Sequence, residues 1–462
     1  MSPTRTARDV KADRSRLPVP LPTRGLPFPA ISKSMLPSGM QVWTVRHTQV
    51  PLVAFTLLVR RGAAADPAGK DGLAAVTADM LDEGSGDRSA IQIHEALALL
   101  GAQFDTDIGS DATVVSVTVL SRFSQAVLSL LSDVVVRPAL RDNDFARVRQ
   151  LRLHRLTQLR DMPGALADRA FLKLLYGSHP YGHSPIGSEA SLAAMTADDV
   201  RAFHARALRP AVTTLIAVGD CEHDEIVRLA AQAFADWTGD GDAEVDASEP
   251  VPQAPPITVV PRPRAPQSEL RIGHVATARD TPDYHALVVA NTILGGQFVS
   301  RINLNLREHK GLTYGARTAF EFRRLPGPFA LQASVATSGT AVAIQESIGE
   351  IAGIRGLRPV TDDELALGIA ALTRGYARSF ETAEQIARAA MQLALYDLPD
   401  DYFAQFVPRV EAVTTEDVSR VMTVHLDPAR LVTVVVGDLD AIGADLGALA
   451  DAAPAVLAPD AI

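Results

Sequence analysis

The sequence predicts an α+β protein made of two lobes of like construction joined by a linker. Three observations predict it. The chain has 462 residues, more than one hydrophobic core supports. A pattern occurs twice in one register: "MTADDVRAFHARALRPAVTTLIAVGD" ends at Asp220 and "VTTEDVSRVMTVHLDPARLVTVVVGD" ends at Asp438. Asp199 matches Asp417, Pro210 matches Pro428 and Gly219 matches Gly437, each pair 218 residues apart with no gap. Finally, strand and helix patterns occur together in each half without strict βαβ alternation.

The elements follow in order. "MQVWTVRHTQVPLVAFTLLVRRG" reads as two strands joined by a turn at His47–Pro51. Helical spacing follows at about 71–83 and from Ile91 to Leu100. "TVVSVTVL" (113–120) alternates as a strand, and "FSQAVLSLLSDVVVRP" has helical spacing. At the end of each copy, a threonine with acidic residues caps a short helix (Thr196, Thr415). A Pro-containing turn then leads into a β-branched strand closed by Gly-Asp. In the second half, "DYHALVVANTILGGQFVSRINLNLRE" is one long helical candidate and "YGARTAFEF" a strand. "GPFALQASVAT" is another strand, followed by the helix "GTAVAIQESIGEIAGI".

These signals divide the chain into a tail (1–25), a first lobe (26–237), a linker (238–258), a second lobe (259–450) and a C-terminal tail (451–462). The linker is acidic and then Pro-rich, a composition that cannot bury a core and stays extended. It serves either as a plain connector or as a hinge between lobes that open and close.

Bulk composition narrows the function. A net charge of −10 lacks the basic surface of a nucleic-acid binder. The single cysteine, Cys221, makes no internal disulfide and no thiolate zinc cluster. No apolar run reaches membrane-spanning length. The polar N-terminal stretch has no leader-like apolar segment, which leaves the bacterial periplasm and the cytoplasm both open.

Three segments invite a metal reading, and each has a simpler one. "HEALA" (94–98) has Ala98 where a second histidine would be needed. "HPYGH" (179–183) contains Pro180 and Gly182, which oppose a helix. "CEHDE" (221–225) follows a Gly-Asp turn and suits a solvated helix start. No G-x-S-x-G elbow, P-loop or Cys-His signature is present.

"LREHKGLTYGARTAF" (306–320) places Arg307 and Tyr314 on either side of a glycine-containing turn. Locally, Arg307 would pair with a carboxylate and Tyr314 would pack half-buried at the start of a strand. Alternation would then put Tyr314, Ala316, Thr318 and Phe320 on one face. The alternative is a pair of hydrogen-bond donors aimed at a ligand.

A duplicated α+β lobe with R-x6-Y in its second copy resembles the pitrilysin-like zinc peptidases, the inverzincins that include the mitochondrial processing peptidase. "GGQFVSRINLNLREHKGLTYGA", "GKDGLAAVTADMLDEGS", "HPYGHSPIG" and the two Gly-Asp repeats carry the resemblance, from about Leu26 to Leu439. It implies a duplicated LuxS/processing-peptidase-like metallohydrolase fold. Active members carry H-x-x-E-H on a helix of the first lobe, where two imidazoles one turn apart hold Zn²⁺ and the glutamate serves as general base. Over "GLAAVTADML" (72–81) that motif falls on Ala75, Ala78 and Asp79, and the third ligand falls on Arg155. No metal is therefore expected in this chain.

The resemblance assigns Arg307 and Tyr314 to substrate and oxyanion binding across the cleft from the zinc. It implies a non-catalytic subunit of a heterodimeric zinc metallopeptidase. That subunit would have a homologous H-x-x-E-H partner carrying the Zn²⁺, a peptide substrate, and no peptidase activity alone. The alternative is a catalytically silent structural or peptide-binding scaffold of the same fold.

Overall fold

A computed structural model describes Ser15 and residues 28–239, 256–450 and 452–462. Apart from Ser15 the expected N-terminal tail lies outside the described residues, and so does most of the expected linker. With them lies any structural account of a hinge.

The first half folds around a six-stranded sheet. Its strands are β1 (Ile31–Met35), β2 (Gln41–Arg46), β3 (Leu52–Val59), β4 (Gln103–Ile108), β5 (Thr113–Leu120) and β6 (Thr213–Gly219), in spatial order β1-β2-β6-β3-β5-β4. The second half repeats this with β7 (Ile257–Pro261), β8 (Gln267–Val275), β9 (Ala316–Phe320), β10 (Pro328–Ala336), β11 (Val432–Gly437) and β12 (Ala455–Val456). Their order is β12-β7-β11-β8-β10-β9. Five strands correspond pairwise, and β6 and β11 are the two copies of the repeated β-branched run. Each lies parallel to one neighbour and antiparallel to the other.

The sixth position differs between the copies. In the first sheet β1 closes the edge antiparallel to β2; in the second, β12 closes it parallel to β7. The segment read as a C-terminal tail therefore contributes a short strand.

β2 and β3 are consecutive in sequence but not neighbours in space. β6 sits between them, because its β-branched side chains need a fully covered central position. Every residue of β6 and of β11 is buried. A sheet with both faces covered needs helices on both sides, and the two halves meet that need reciprocally.

Three helices of the first half matter here: α1 (Leu73–Asp79), α2 (Asp142–Arg160) and α3 (Pro163–Tyr176). Three of the second half do so as well: α4 (Tyr284–Asn291), α5 (Ala383–Leu395) and α6 (Tyr402–Glu411). α3 leaves its own half and packs on β8 and β11, where Leu166, Ala170, Phe171 and Leu175 meet Val275, Val432, Val434 and Val436. α5 does the converse. Its Ile386, Ala390 and Leu393 pack with Trp43, Val45, Leu58 and Ile216 of the first sheet. The exchanged helices tie the two lobes through shared cores.

Local rules explain the remaining differences. The helix cap in the second copy is Thr414, not Thr415: its hydroxyl accepts from Asp417 N at 3.1 Å, matching Thr196 and Asp199 at 3.2 Å. The single long helix expected over 283–308 is interrupted after Gly296. Gly295 lies against β9, where a Cβ would come within 2.5 Å of the Thr318 hydroxyl. α4 therefore widens into a π turn at Thr292–Gly296, and helix resumes at Arg301.

Candidate functional site

The positions aligned with the zinc motif lie on α1 and α2. Ala75 and Ala78 are buried on α1, and Asp79 closes that helix. Arg152 of α2 donates from Nε to the Asp79 carboxylate at 2.7 Å. Arg155, expected opposite the motif, is exposed, and His154 bonds Gln150. Sequence reasoning missed Arg152, one turn earlier. A signal for it existed: Phe145, Val148 and Leu156 form the buried stripe of α2, and Arg152 falls on that stripe at helical spacing.

The residues do not fit zinc. Two alanines offer no lone pair, and the one carboxylate already faces a guanidinium that would repel a cation. Among the described residues no group of three or more His, Cys, Asp or Glu is arranged to hold a metal.

The three substitute segments have structural duties. His94 pairs with Asp82 at 3.2 Å. His223 bonds the hydroxyls of Ser34 and Thr44, each at 2.8 Å, and burial pushes the Cys221 thiol up to about 11, which leaves it unreactive. His183 donates from Nε2 toward Asp66 and Ala63 O, both at 3.1 Å. The Asp66 carboxylate also accepts from Gly72 N and Ala74 N at 2.7 Å, at the start of α1. Burial would lower the His183 pKa, but the hydrogen bond and charge of Asp66 reverse this and raise it.

The segment Leu304–His309 carries Arg307, and Arg301 anchors it. The Arg301 guanidinium forks onto Glu364 at 2.6 and 2.7 Å and donates to Arg358 O and Pro359 O. Arg307 lies over the exposed ring of Phe298, 3.8 Å from its centroid, and pairs with Glu308 at 3.3 Å. Gly311, at φ +61°, turns the chain out of the helix.

The following loop is pinned along its length. Leu312 N donates to Leu306 O at 2.8 Å, Thr313 Oγ1 donates to Ser334 O at 2.7 Å, and Ala316 N donates to Asn303 Oδ1 at 2.8 Å. Tyr314 sits on this pinned loop ahead of β9 and does not begin the strand. Ala316 and Thr318 take the buried face, while Tyr314 is 94% exposed. Among the described residues its hydroxyl has no hydrogen-bond partner. Of the local alternative, the carboxylate beside Arg307 is present, but Tyr314 is not packed.

A cavity of about 790 Å³ lies along β4, one of the two edge strands of the first sheet, between β3, β5 and α5. Its lining includes Gln103, Asp105 and Asp107 of the edge and Glu384, Arg388 and Met391 of α5.

Two family profiles match this chain. One, described as insulinase (peptidase family M16), covers residues 41–188; the other, described as the peptidase M16 inactive domain, covers residues 194–372. The chain belongs to the M16, pitrilysin-like peptidase family.

An uncharacterized zinc protease of Mycobacterium tuberculosis is 29% identical to the M16 chain over 293 residues. That match spans 63% of this chain and 66% of the relative. A crystal structure of a peptidase M16 inactive domain from Pseudomonas fluorescens superposes with a TM-score of 0.82 at 27% identity. It covers 88% of this chain and 98% of that one. The periplasmic protease PqqL of Escherichia coli shares the fold, with a TM-score of 0.74 at 16% identity over 95% of this chain and 48% of that one. Among the described residues, no helix of the M16 chain is long and apolar enough to cross a membrane.

Proposed function

We propose that this chain is the non-catalytic subunit of a two-subunit M16 metallopeptidase. It lends Arg307 and Tyr314 to a composite site whose Zn²⁺ is held by an H-x-x-E-H partner. One contrast carries the reading. In the first lobe an Asp79–Arg152 ion pair stands on the metal-motif helix, whereas in the second a pinned loop holds the Tyr314 phenol out in solvent. An aromatic left 94% exposed on a loop held by hydrogen bonds on both sides of it is suited to meeting another molecule.

The assigned roles follow from donor chemistry. A phenol hydroxyl donates to the oxygen that becomes anionic in peptide hydrolysis, and a guanidinium donates to peptide carbonyls through its fork. The edge strand β4 with its cavity supports peptide binding by the first lobe, since an edge strand leaves backbone groups for an extended chain to pair with. The same edge favours the second reading, a peptide-binding scaffold without catalysis.

The test is reconstitution. Purified chain alone should cut no peptide, and mixing it with an H-x-x-E-H M16 subunit should restore cleavage. Tyr314→Phe should then lower kcat by roughly 10²–10³ while the complex still forms. Undiminished cleavage by the Tyr314→Phe mixture would remove Tyr314 from the chemistry, and peptide binding without restored cleavage would favour the scaffold.

A further inference from the structure

The first sheet is covered unevenly. α5 packs on β3 and β6 and leaves one face of β5 and β4 open. Alternation along β5 shows the boundary. Val115, Val117 and Val119 are buried in the first-lobe core, whereas Val114, Ser116 and Thr118 are only half-buried on the opposite face. The cavity of about 790 Å³ lies over that open face, with β4 as one bank and Glu384, Arg388 and Met391 of α5 as the other. Both halves of the chain therefore build the groove.

β4 pairs with β5 alone, so its far side is an unpaired edge. Phe104 and Ile108 pack against the core, and the exposed face carries Gln103, Asp105 and Asp107. Asp105 stands opposite Ser116 and Asp107 opposite Val114, so neither has a cation across the ladder. Among the described residues neither carboxylate makes an ion pair or a hydrogen bond. On the facing bank, Glu384 accepts from Thr118 Oγ1 at 3.3 Å. Three carboxylates thus line the groove against one guanidinium, that of Arg388.

These features choose the occupant. An extended segment added to β4 satisfies the backbone groups of the edge, and its alternate side chains lie over the same face as Asp105 and Asp107. Side chains directly opposed on paired strands come within about 5 Å, so each carboxylate meets one residue of the guest. A neutral or acidic strand would cover both carboxylates without a counter-charge, whereas basic side chains supply it. The β4 of a second copy is a poor guest, because it sets carboxylates beside carboxylates.

We propose that the β4 edge and its groove take an extended basic peptide, with lysine or arginine at two positions separated by one residue, one beside Asp105 and one beside Asp107. The inference rests on the reading of the chain as a peptide binder. It does not depend on the composite catalytic site.

The experiment titrates the full chain alone into fluorescein-labelled, blocked heptapeptides and follows their anisotropy. The peptides differ only at positions 3 to 5, which read Arg-Thr-Arg, Arg-Arg-Thr, Gln-Thr-Gln or Glu-Thr-Glu. Arg-Thr-Arg should bind tightest, Gln-Thr-Gln about 5- to 10-fold weaker, and Glu-Thr-Glu weaker still. Arg-Arg-Thr keeps the charge but points its arginines to opposite faces, and should bind about 3-fold weaker than Arg-Thr-Arg. In the Asp105→Asn/Asp107→Asn variant, whose changed side chains are exposed, Arg-Thr-Arg and Gln-Thr-Gln should agree within about 2-fold. Asp440→Asn/Asp445→Asn makes the same charge change on the helix Leu439–Ala450 and should keep the full preference. Equal affinity of the four peptides for the unaltered chain overturns the basic-peptide assignment while leaving peptide binding intact. A preference that survives Asp105→Asn/Asp107→Asn overturns it too, as does Arg-Arg-Thr binding as tightly as Arg-Thr-Arg. If no peptide binds, the edge is left to a second copy or to the chain itself, and the peptide-binding reading falls together with the assignment.

Discussion

Replacing Leu393 by alanine tests the exchanged helices. Leu393 belongs to the second half of the sequence, yet it is fully buried in a core with Trp43, Val45, Leu58 and Ile216 of the first sheet. Truncating a fully buried leucine removes its transfer free energy and leaves a cavity, at a cost of about 3–5 kcal/mol. The chain contains two tryptophans, Trp43 and Trp237, and both lie in the first lobe and are buried there. Tryptophan fluorescence during urea unfolding therefore reports on that lobe alone. With a denaturant slope of about 3 kcal/mol per molar, the fluorescence midpoint should fall by at least about 1 M urea. Far-UV circular dichroism should move with it in one transition. If the lobes were separately folded, Leu393→Ala would leave the fluorescence midpoint in place and displace only a second, fluorescence-silent transition. That outcome would refute the shared core.

The zinc positions offer another test. Ala75→His, Ala78→Glu and Asp79→His together should still bind no stoichiometric zinc by elemental analysis while Arg152 remains, and adding Arg152→Glu, which turns the residue facing position 79 into a third ligand, should permit it. Asp79→Ala leaves Arg152 largely buried without its carboxylate. Because Asp79 is itself about two-fifths exposed, solvent screens the pair, and the loss should be about 1–2 kcal/mol by urea titration. His285 is pushed down to about 4, first by burial and then by Arg409 and Arg279. A depressed histidine pKa means the unfolded chain binds the proton more readily, so stability should fall as pH drops from about 6.5 toward 4 and hold above that window. His285→Asn should flatten the slope there. His183 has the opposite sign. Its pKa is raised, so its contribution is complete below about pH 6.5 and fades as pH rises through the folded value. His183→Gln should remove that alkaline decline in a pH series of thermal melts.

Much of the fold was legible because local rules act within a few residues. The repeated pattern marked β6 and β11 as equivalent buried strands, and both are wholly buried in equivalent positions. The expectation of no zinc at Ala75, Ala78 and Asp79, where the resemblance puts the metal motif, used no structure, since an alanine side chain cannot ligate wherever it lies. Sequence alone also singled out Arg307 and Tyr314. It started the strand at Tyr314, on one face with Ala316, Thr318 and Phe320, because alternation was extended two residues past the true strand start at Ala316. The hydrogen bonds from Thr313 to Ser334 and from Ala316 to Asn303, which fix that boundary, join residues from separate elements.

What the tertiary structure alone decided concerns pairings between residues far apart in the chain. Periodicity says that α3 and α5 each have an apolar face, but it says nothing of which sheet that face covers. Close packing of two doubly covered sheets sends each helix to the opposite half. In the same way, the buried stripe of α2 makes Arg152 conspicuous in sequence. Only the approach of α1 brings Asp79 within 2.7 Å of it and puts an ion pair on the helix where the resemblance expects the metal motif.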